Sequence, residues 1–156
     1  MKKISQCLFL LLAWAMFEGR ASAVAVCSVS STTEAFGVYN TVSGSAKDTV
    51  GTISVTCTGS IGDSVNYSIA LGPGGGSLVS RNMQAGGSKV NYNLFTNGTH
   101  TAIWGDGTSG TATVSDSYTL STTSTTRSYT VYGEIPAQYS STVGSYLDSV
   151  AITLTY

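Results

Sequence analysis

Few residues in this sequence have types and spacing suited to chemistry. There is a single histidine, His100, beside the turn dipeptide Asn97-Gly98. A general base needs a nucleophile or substrate proton within hydrogen-bond reach, and serines, though abundant, form no Gly-x-Ser-x-Gly elbow. His100 is therefore expected as a solvated loop residue, and without a second histidine a metal site is not expected. Trp104-Gly-Asp-Gly107 offers one carboxylate, Asp106, where a calcium loop needs several oxygen ligands at alternate positions. Asp106 reads as a turn residue bonded to local backbone, and Trp104 as a core or rim aromatic rather than a sugar platform. Gly72-Pro-Gly-Gly-Gly76 has the glycines of a phosphate cradle but neither the lysine nor the helix that such a cradle requires, so it reads as a loop.

Asp63, Glu134 and Asp148 fall in separate segments, and nothing in the sequence pairs any two as acid and base. Asp148 is expected to cap the turn into the last strand. Arg81 and Arg127 are read as solubilising charges. Asn66-Tyr-Ser68 and Asn97-Gly-Thr99 match the glycosylation sequon, which carries little weight beside a leader of bacterial appearance. No enzyme and no cofactor is expected.

The N-terminal residues speak for export. Lys2 and Lys3, the apolar run Cys7 to Phe17 and Ala21-Ser22-Ala23 form the basic, apolar and cleavage regions of a signal peptide over residues 1–23. Eleven apolar residues are too few to span about 30 Å of hydrocarbon, so no membrane span is expected in the mature chain. Cleavage after Ala23 would leave one domain, residues 24–156, with four basic and seven acidic residues, a net charge of −3. That balance excludes a basic patch for nucleic acid. Cys27 and Cys57 remain, and an isolated pair in an exported chain reads as one disulfide. Closing a loop of about 31 residues stabilises a fold by roughly 3–4 kcal/mol on the chain-entropy model. A lipoprotein role for Cys27 is disfavoured by the branched Val26 before it.

The elements that position these residues are expected to be strands. Ser, Thr and Gly abound, charge is sparse, and the mature chain has no run with helical spacing. Phe36-Gly-Val-Tyr39 is expected at a strand end, and Gly51 to Cys57 as a strand with Ile53, Val55 and Cys57 on one face. Further strands are expected at Tyr67, Ile69 and Leu71, at Val90, Tyr92 and Leu94, at Tyr118 and Leu120, and at Tyr129 to Ile135, where Pro136 stops the run. Arg81 to Gln84 is ambiguous, Val114 marks a short alternating piece, and Ser121 to Thr126 reads as a Ser/Thr loop. The chain closes on Gly144 to Tyr156, where Val150, Ile152, Leu154 and Tyr156 alternate with smaller or polar residues. An apolar terminal strand invites pairing with another chain unless a neighbour covers it. Six to eight strands with one disulfide predict a β-sandwich, with a closed barrel as the alternative.

Seven segments occur in an order that resembles the spore coat protein U family, which includes subunits of archaic chaperone–usher pili. They are Phe36-Gly-Val-Tyr39, Gly51 to Cys57, Arg81-Asn-Met83, Asn91 to Phe95, Trp104-Gly-Asp-Gly107, Tyr132-Gly-Glu-Ile-Pro136 and Gly144-Ser-Tyr-Leu-Asp148. The resemblance implies an immunoglobulin-like sandwich lacking its final strand. It also implies a periplasmic chaperone that lends a strand, and an outer-membrane usher that exchanges it for a neighbouring subunit's extension. Val150, Ile152, Leu154 and Tyr156 would then edge the acceptor groove. Only Val24, Ala25 and Val26 separate the expected cleavage site from Cys27, at most about 11 Å of chain. That is too little for a donor segment, so a tip or capping position, or a coat assembled by another route, is expected. The rival readings are an adhesive or carbohydrate-binding module with Trp104, Tyr118 and Tyr132 in a surface patch and, more remotely, a secreted hydrolase.

Overall fold

The computed structural model describes residues 24–42, 44–139 and 142–156; the expected signal peptide, residues 1–23, lies outside the described residues. The described chain is all-β, with strands β1 (Val26–Ser31), β2 (Lys47–Thr58), β3 (Ser64–Leu71), β4 (Arg81–Ala85), β5 (Ser88–Phe95), β6 (Val114–Thr119), β7 (Ser124–Ile135) and β8 (Ile152–Thr155). Five strands form one sheet in the order β1-β2-β7-β5-β4, and three form the other in the order β6-β3-β8. The named pairs are all antiparallel. The two sheets pack as an immunoglobulin-like sandwich.

Period-two alternation decides which side chains face inward. On β2, Ile53, Val55 and Cys57 are buried; on β3, Val65, Tyr67, Ile69 and Leu71; on β7, Val131 and Ile135. These rows meet Tyr92 and Leu94 of β5, and each large aliphatic side chain removed from water contributes about 1.5–3 kcal/mol. Cys27 of β1 and Cys57 of β2 stand opposite each other in register and are disulfide-bonded, so the bond ties the edge strand to the sheet.

The structure departs from the sequence pattern in four places. Phe36-Gly-Val-Tyr39 lies in the strandless stretch between β1 and β2; Gly37 has φ +68° and Phe36 packs edge-on against Tyr92. Val114 and Tyr118 belong to one strand, β6, and Leu120 falls just past its end. Ser124 to Thr126, read as loop, begins β7, because Thr126, Thr125 and Ser124 continue the ladder opposite Thr56, Cys57 and Thr58. Serine and threonine sit well on the outer face of a sheet, where Thr56 and Thr126 share a 2.8 Å hydrogen bond. The closing segment forms only a four-residue strand, β8, with Val150 ahead of it and Tyr156 beyond it.

Because the Cys27–Cys57 bond anchors an edge strand held on one side only, converting both cysteines to serine should lower unfolding free energy by about 2–5 kcal/mol. Urea unfolding of the oxidised protein against the C27S/C57S variant measures it, and the loss should appear as a lower midpoint with little change of slope.

Candidate functional site

Two sheet edges meet on one side of the sandwich without bonding. Among the described residues β1 pairs only with β2, and β8 only with β3 through Ser68↔Thr155 to Leu71↔Ile152, yet β1 and β8 approach each other across the opening. A groove of about 360 Å³ opens between the sheets here. Its floor is core: Ile53, Leu94 and Val131 from the larger sheet and Leu71 from the smaller. One wall is the chain after β1, Ser31 to Glu34 with Phe36, and the other is Tyr146 to Val150 with Ile152. Val150, Ile152 and Leu154 pack partly buried against the core, whereas Tyr156 is 58% exposed.

Arg81 is buried behind the lining of this groove, near Tyr92, Asp148 and Glu34, and the structure overturns its reading as a solubilising charge. It is fully buried, 0% exposed, at the first position of β4. Its Nε and Nη2 donate to the Gly72 carbonyl at 2.9 and 2.8 Å, Nη2 also donates to the Trp104 carbonyl at 2.8 Å, and Nη1 donates to Asn93 Oδ1. The planar fork thus ties together the glycine loop after β3, the β5 strand and the Trp104 segment, a task a lysine's point charge does not match. Burial pulls the guanidinium pKa down, while the Tyr92, Asp148 and Glu34 charges oppose that shift.

Three further polar groups sit near it. Asp148 accepts from the Gly75 amide at 2.8 Å, the Ser149 amide at 2.7 Å and the Tyr92 hydroxyl at 2.7 Å, so it caps the turn into β8 and also fastens that turn to the glycine loop. Burial pushes the Tyr92 hydroxyl pKa up, and its bond to Asp148 adds to the shift. Glu34, which the sequence did not single out, lines the groove, and burial raises its carboxyl pKa from 4.5 to about 7 against the lowering effect of Arg81. Its Oε2 is buried and has no hydrogen-bond partner. The sequence held no signal for it: Gly51 and Gly133 come onto adjacent strands only in the fold, and a Cβ at either would collide with the Glu34 side chain.

The other candidates fall elsewhere. Trp104 is fully buried and donates its indole N–H to the Ile69 carbonyl at 3.0 Å. It therefore shares no surface patch with Tyr118, which carries the Arg127 guanidinium 4.2 Å above its ring, or with Tyr132 of β7. Arg127 also pairs with Asp116 at 3.0 Å. Asp106 accepts from the Thr108 amide at 2.8 Å, as expected of a turn residue. Asp63 accepts from the Ser60 amide at 2.7 Å.

His100 is less solvated than expected. It has φ 52°, stacks on Phe95 with centroids 5.1 Å apart, and sets Nδ1 3.5 Å from Glu134 Oε2. Asp48 faces Glu134 in register, so Asp48, His100 and Glu134 bring ligand atoms within 4.8 Å of one another. This is the group among the described residues that could hold a cation, but a partly exposed histidine–carboxylate pair accounts for the arrangement.

The fold is thus an immunoglobulin-like β-sandwich in which a groove leaves part of the apolar core uncovered. The chain belongs to the Spore Coat Protein U domain family, whose model matches residues 13–153. Among solved structures it is similar to a chain in the CsuC–CsuE chaperone–tip adhesion subunit pre-assembly complex, from archaic chaperone–usher Csu pili of Acinetobacter baumannii, with a TM-score of 0.52 and 16% identity. The likeness covers 85% of this chain and 40% of that chain, so the protein described here spans well under half of its length. No curated protein gives a significant match.

Replacing Arg81 with methionine strands the Gly72 and Trp104 carbonyls and the Asn93 side chain, and should cost about 3 kcal/mol or more in a urea titration. Glu34 carries a second expectation. Its folded pKa lies above its unfolded value, so the folded state holds the proton more tightly, and stability should fall as pH rises from about 4.5 through about 7. Glu34→Gln should flatten that part of the pH–stability curve, leaving whatever Arg81, Asp148 and Tyr92 contribute around it.

Proposed function

We propose that this protein is an exported structural subunit of a surface fibre or coat, and that its groove receives a β-strand from a partner. Residues 1–23 direct export, the chain folds in the periplasm on a chaperone that lends a strand, and an outer-membrane usher exchanges that strand for one from a neighbouring subunit. The observation that carries this reading is the groove: an apolar floor walled by the chain that leaves β1 and the chain that leads into β8, two edge strands each bonded on one side only among the described residues. Unpaired strand edges with core side chains beneath them are what strand addition needs: backbone hydrogen bonds for affinity and pockets for alternate side chains. Family membership and the likeness to a chain of a chaperone–subunit complex both support it.

Val150, Ile152 and Leu154 form the inner border of the acceptor edge, with Tyr156 at its end. The same reading places the subunit at the tip or cap of an assembly. After cleavage at Ala23 the residues ahead of Cys27 are already used by the domain itself: Val26 begins β1, and Ala25 is buried in the core. Mass spectrometry of the secreted chain should therefore give Val24 as its first residue, and a start well upstream would return a donor segment to it.

The main test is periplasmic expression of residues 24–156 alone and with an alternating apolar strand fused after Tyr156. The fusion should turn a protease-sensitive chain into one with a sharp, cooperative melt. If the unfused chain resists protease and melts at the same temperature, the groove needs no strand and the proposal fails.

A further inference from the structure

The groove is not uniformly apolar: two half-buried carboxyls, Glu34 and Asp148, line it, and Glu34 has been given room. Inward positions of β2 run through Gly51 and Ile53, and those of β7 through Val131, Gly133 and Ile135. The two glycines lie on neighbouring strands, where Gly51 faces Val131 and Thr49 faces Gly133. Glycine inside a strand weakens it and usually marks the close approach of something else. Here the approaching group is the Glu34 side chain: a Cβ on Gly133 would stand 2.8 Å from Glu34 Oε2, and one on Gly51 would overlap the stem of the same residue. Glu34 is thus folded inward over the sheet rather than out to water, although the stretch from Ser31 to Ala35 around it is exposed. Its Oε2 is buried and makes no hydrogen bond, and the nearby Arg81 donates to Gly72, Trp104 and Asn93 instead.

A buried, unpaired carboxyl oxygen costs about 1–3 kcal/mol until a partner reaches it. Resting on the strand-acceptor reading above, we propose that Glu34 sets the register of the inserted strand, by requiring a hydroxyl or carboxamide side chain at the inward position that comes to lie over it. The geometry selects a side chain and not the backbone. A strand seated between β1 and β8 directs its amides and carbonyls sideways to those edges, and only its inward side chains face the floor where Glu34 lies. A hydroxyl or carboxamide can donate to the ionised carboxyl and can also accept from the protonated one. The partner strand is then apolar at its other inward positions, over Ile53, Leu94 and Val131, with one polar residue among them. A single buried polar pair of this kind fixes alignment in other assemblies, at some expense in stability, because every slipped register leaves both groups unpaired.

Threonine and valine have the same shape and similar strand preference, which makes the test sharp. Fusions after Tyr156 carry an alternating strand with valine at every inward position, or with threonine moved through those positions one at a time. Their urea midpoints are then compared. In a purely apolar groove each threonine destabilises, because its hydroxyl is buried unpaired. We expect the reverse at one position only, where threonine raises the folded-to-unfolded ratio about tenfold over the all-valine strand. In Glu34→Leu the same threonine should lose its advantage, and in Glu34→Gln, which keeps an acceptor, it should retain one. A wild-type protein that is stabilised by the strands, yet prefers valine at every position, overturns the register role while leaving the acceptor reading intact. If no strand stabilises the chain, the acceptor reading itself fails.

Discussion

The structure depends on a mismatch of width. A five-stranded sheet faces a three-stranded one, and neighbouring strands sit about 4.8 Å apart, so roughly two strands' width of the larger sheet lacks a sheet above it. Irregular chain covers part of that excess. The hairpin beyond β5 brings Trp104 back over the core, and the Phe36 segment packs on Tyr92. Leu147 bridges to Gln84 at the free side of β4 through backbone bonds of 2.9 and 3.1 Å, closing that edge. At the opposite edge β1 and β8 have no such bridge among the described residues, and the apolar floor shows through between them.

Irregular cover must still satisfy its own backbone, because a loop laid over a core carries carbonyls and amides that no ladder takes up. Arg81 does this behind the lining of the groove. Its guanidinium reaches the Gly72 and Trp104 carbonyls and the Asn93 side chain, substituting for the strand that would otherwise bond them. Asp148 does the same for the Gly75 and Ser149 amides, and its link to the Tyr92 hydroxyl joins the last turn to the larger sheet. The glycine run between Leu71 and Ser77 follows from this arrangement. At Gly76 a Cβ would press on the Ser80 carbonyl, and at Gly74 the φ of +59° suits a residue without one. This wall of the groove is therefore held by polar bonds as well as by apolar packing.

Alternation made the strands legible, and its limits explain what was missed. Ile53, Val55 and Cys57 announced β2, and Tyr67, Ile69 and Leu71 announced β3, because one face of each is buried. Ser124 to Thr126 gave no such signal, since their pairing with Thr58 to Thr56 has little apolar content and shows only in the register. Arg81 misled for a different reason: its type says surface, and only three-dimensional convergence of the 71–78 loop and Trp104 provides enough acceptors to bury it. Glu34 was silent because its environment comes from two glycines 82 residues apart in the chain, Gly51 and Gly133. The terminal strand was visible as a pattern, but its length was not. Val150 and Tyr156 keep the alternation while lying outside the four residues that bond to β3.

That shortness bears on how folding and assembly relate. A four-residue strand at the edge of its sheet belongs to the least stable part of a sandwich. Its hold on β3 comes from Ile152 and Leu154 packing half-buried beside the groove. A strand entering the groove would add a second ladder to β8 and complete the burial of those side chains, and it would do the same for β1, whose other side is tied by the disulfide. Any ligand that binds only the folded form raises the stability of that form. If a strand from another chain were that ligand it would complete the core, and its binding would add directly to the free energy of folding.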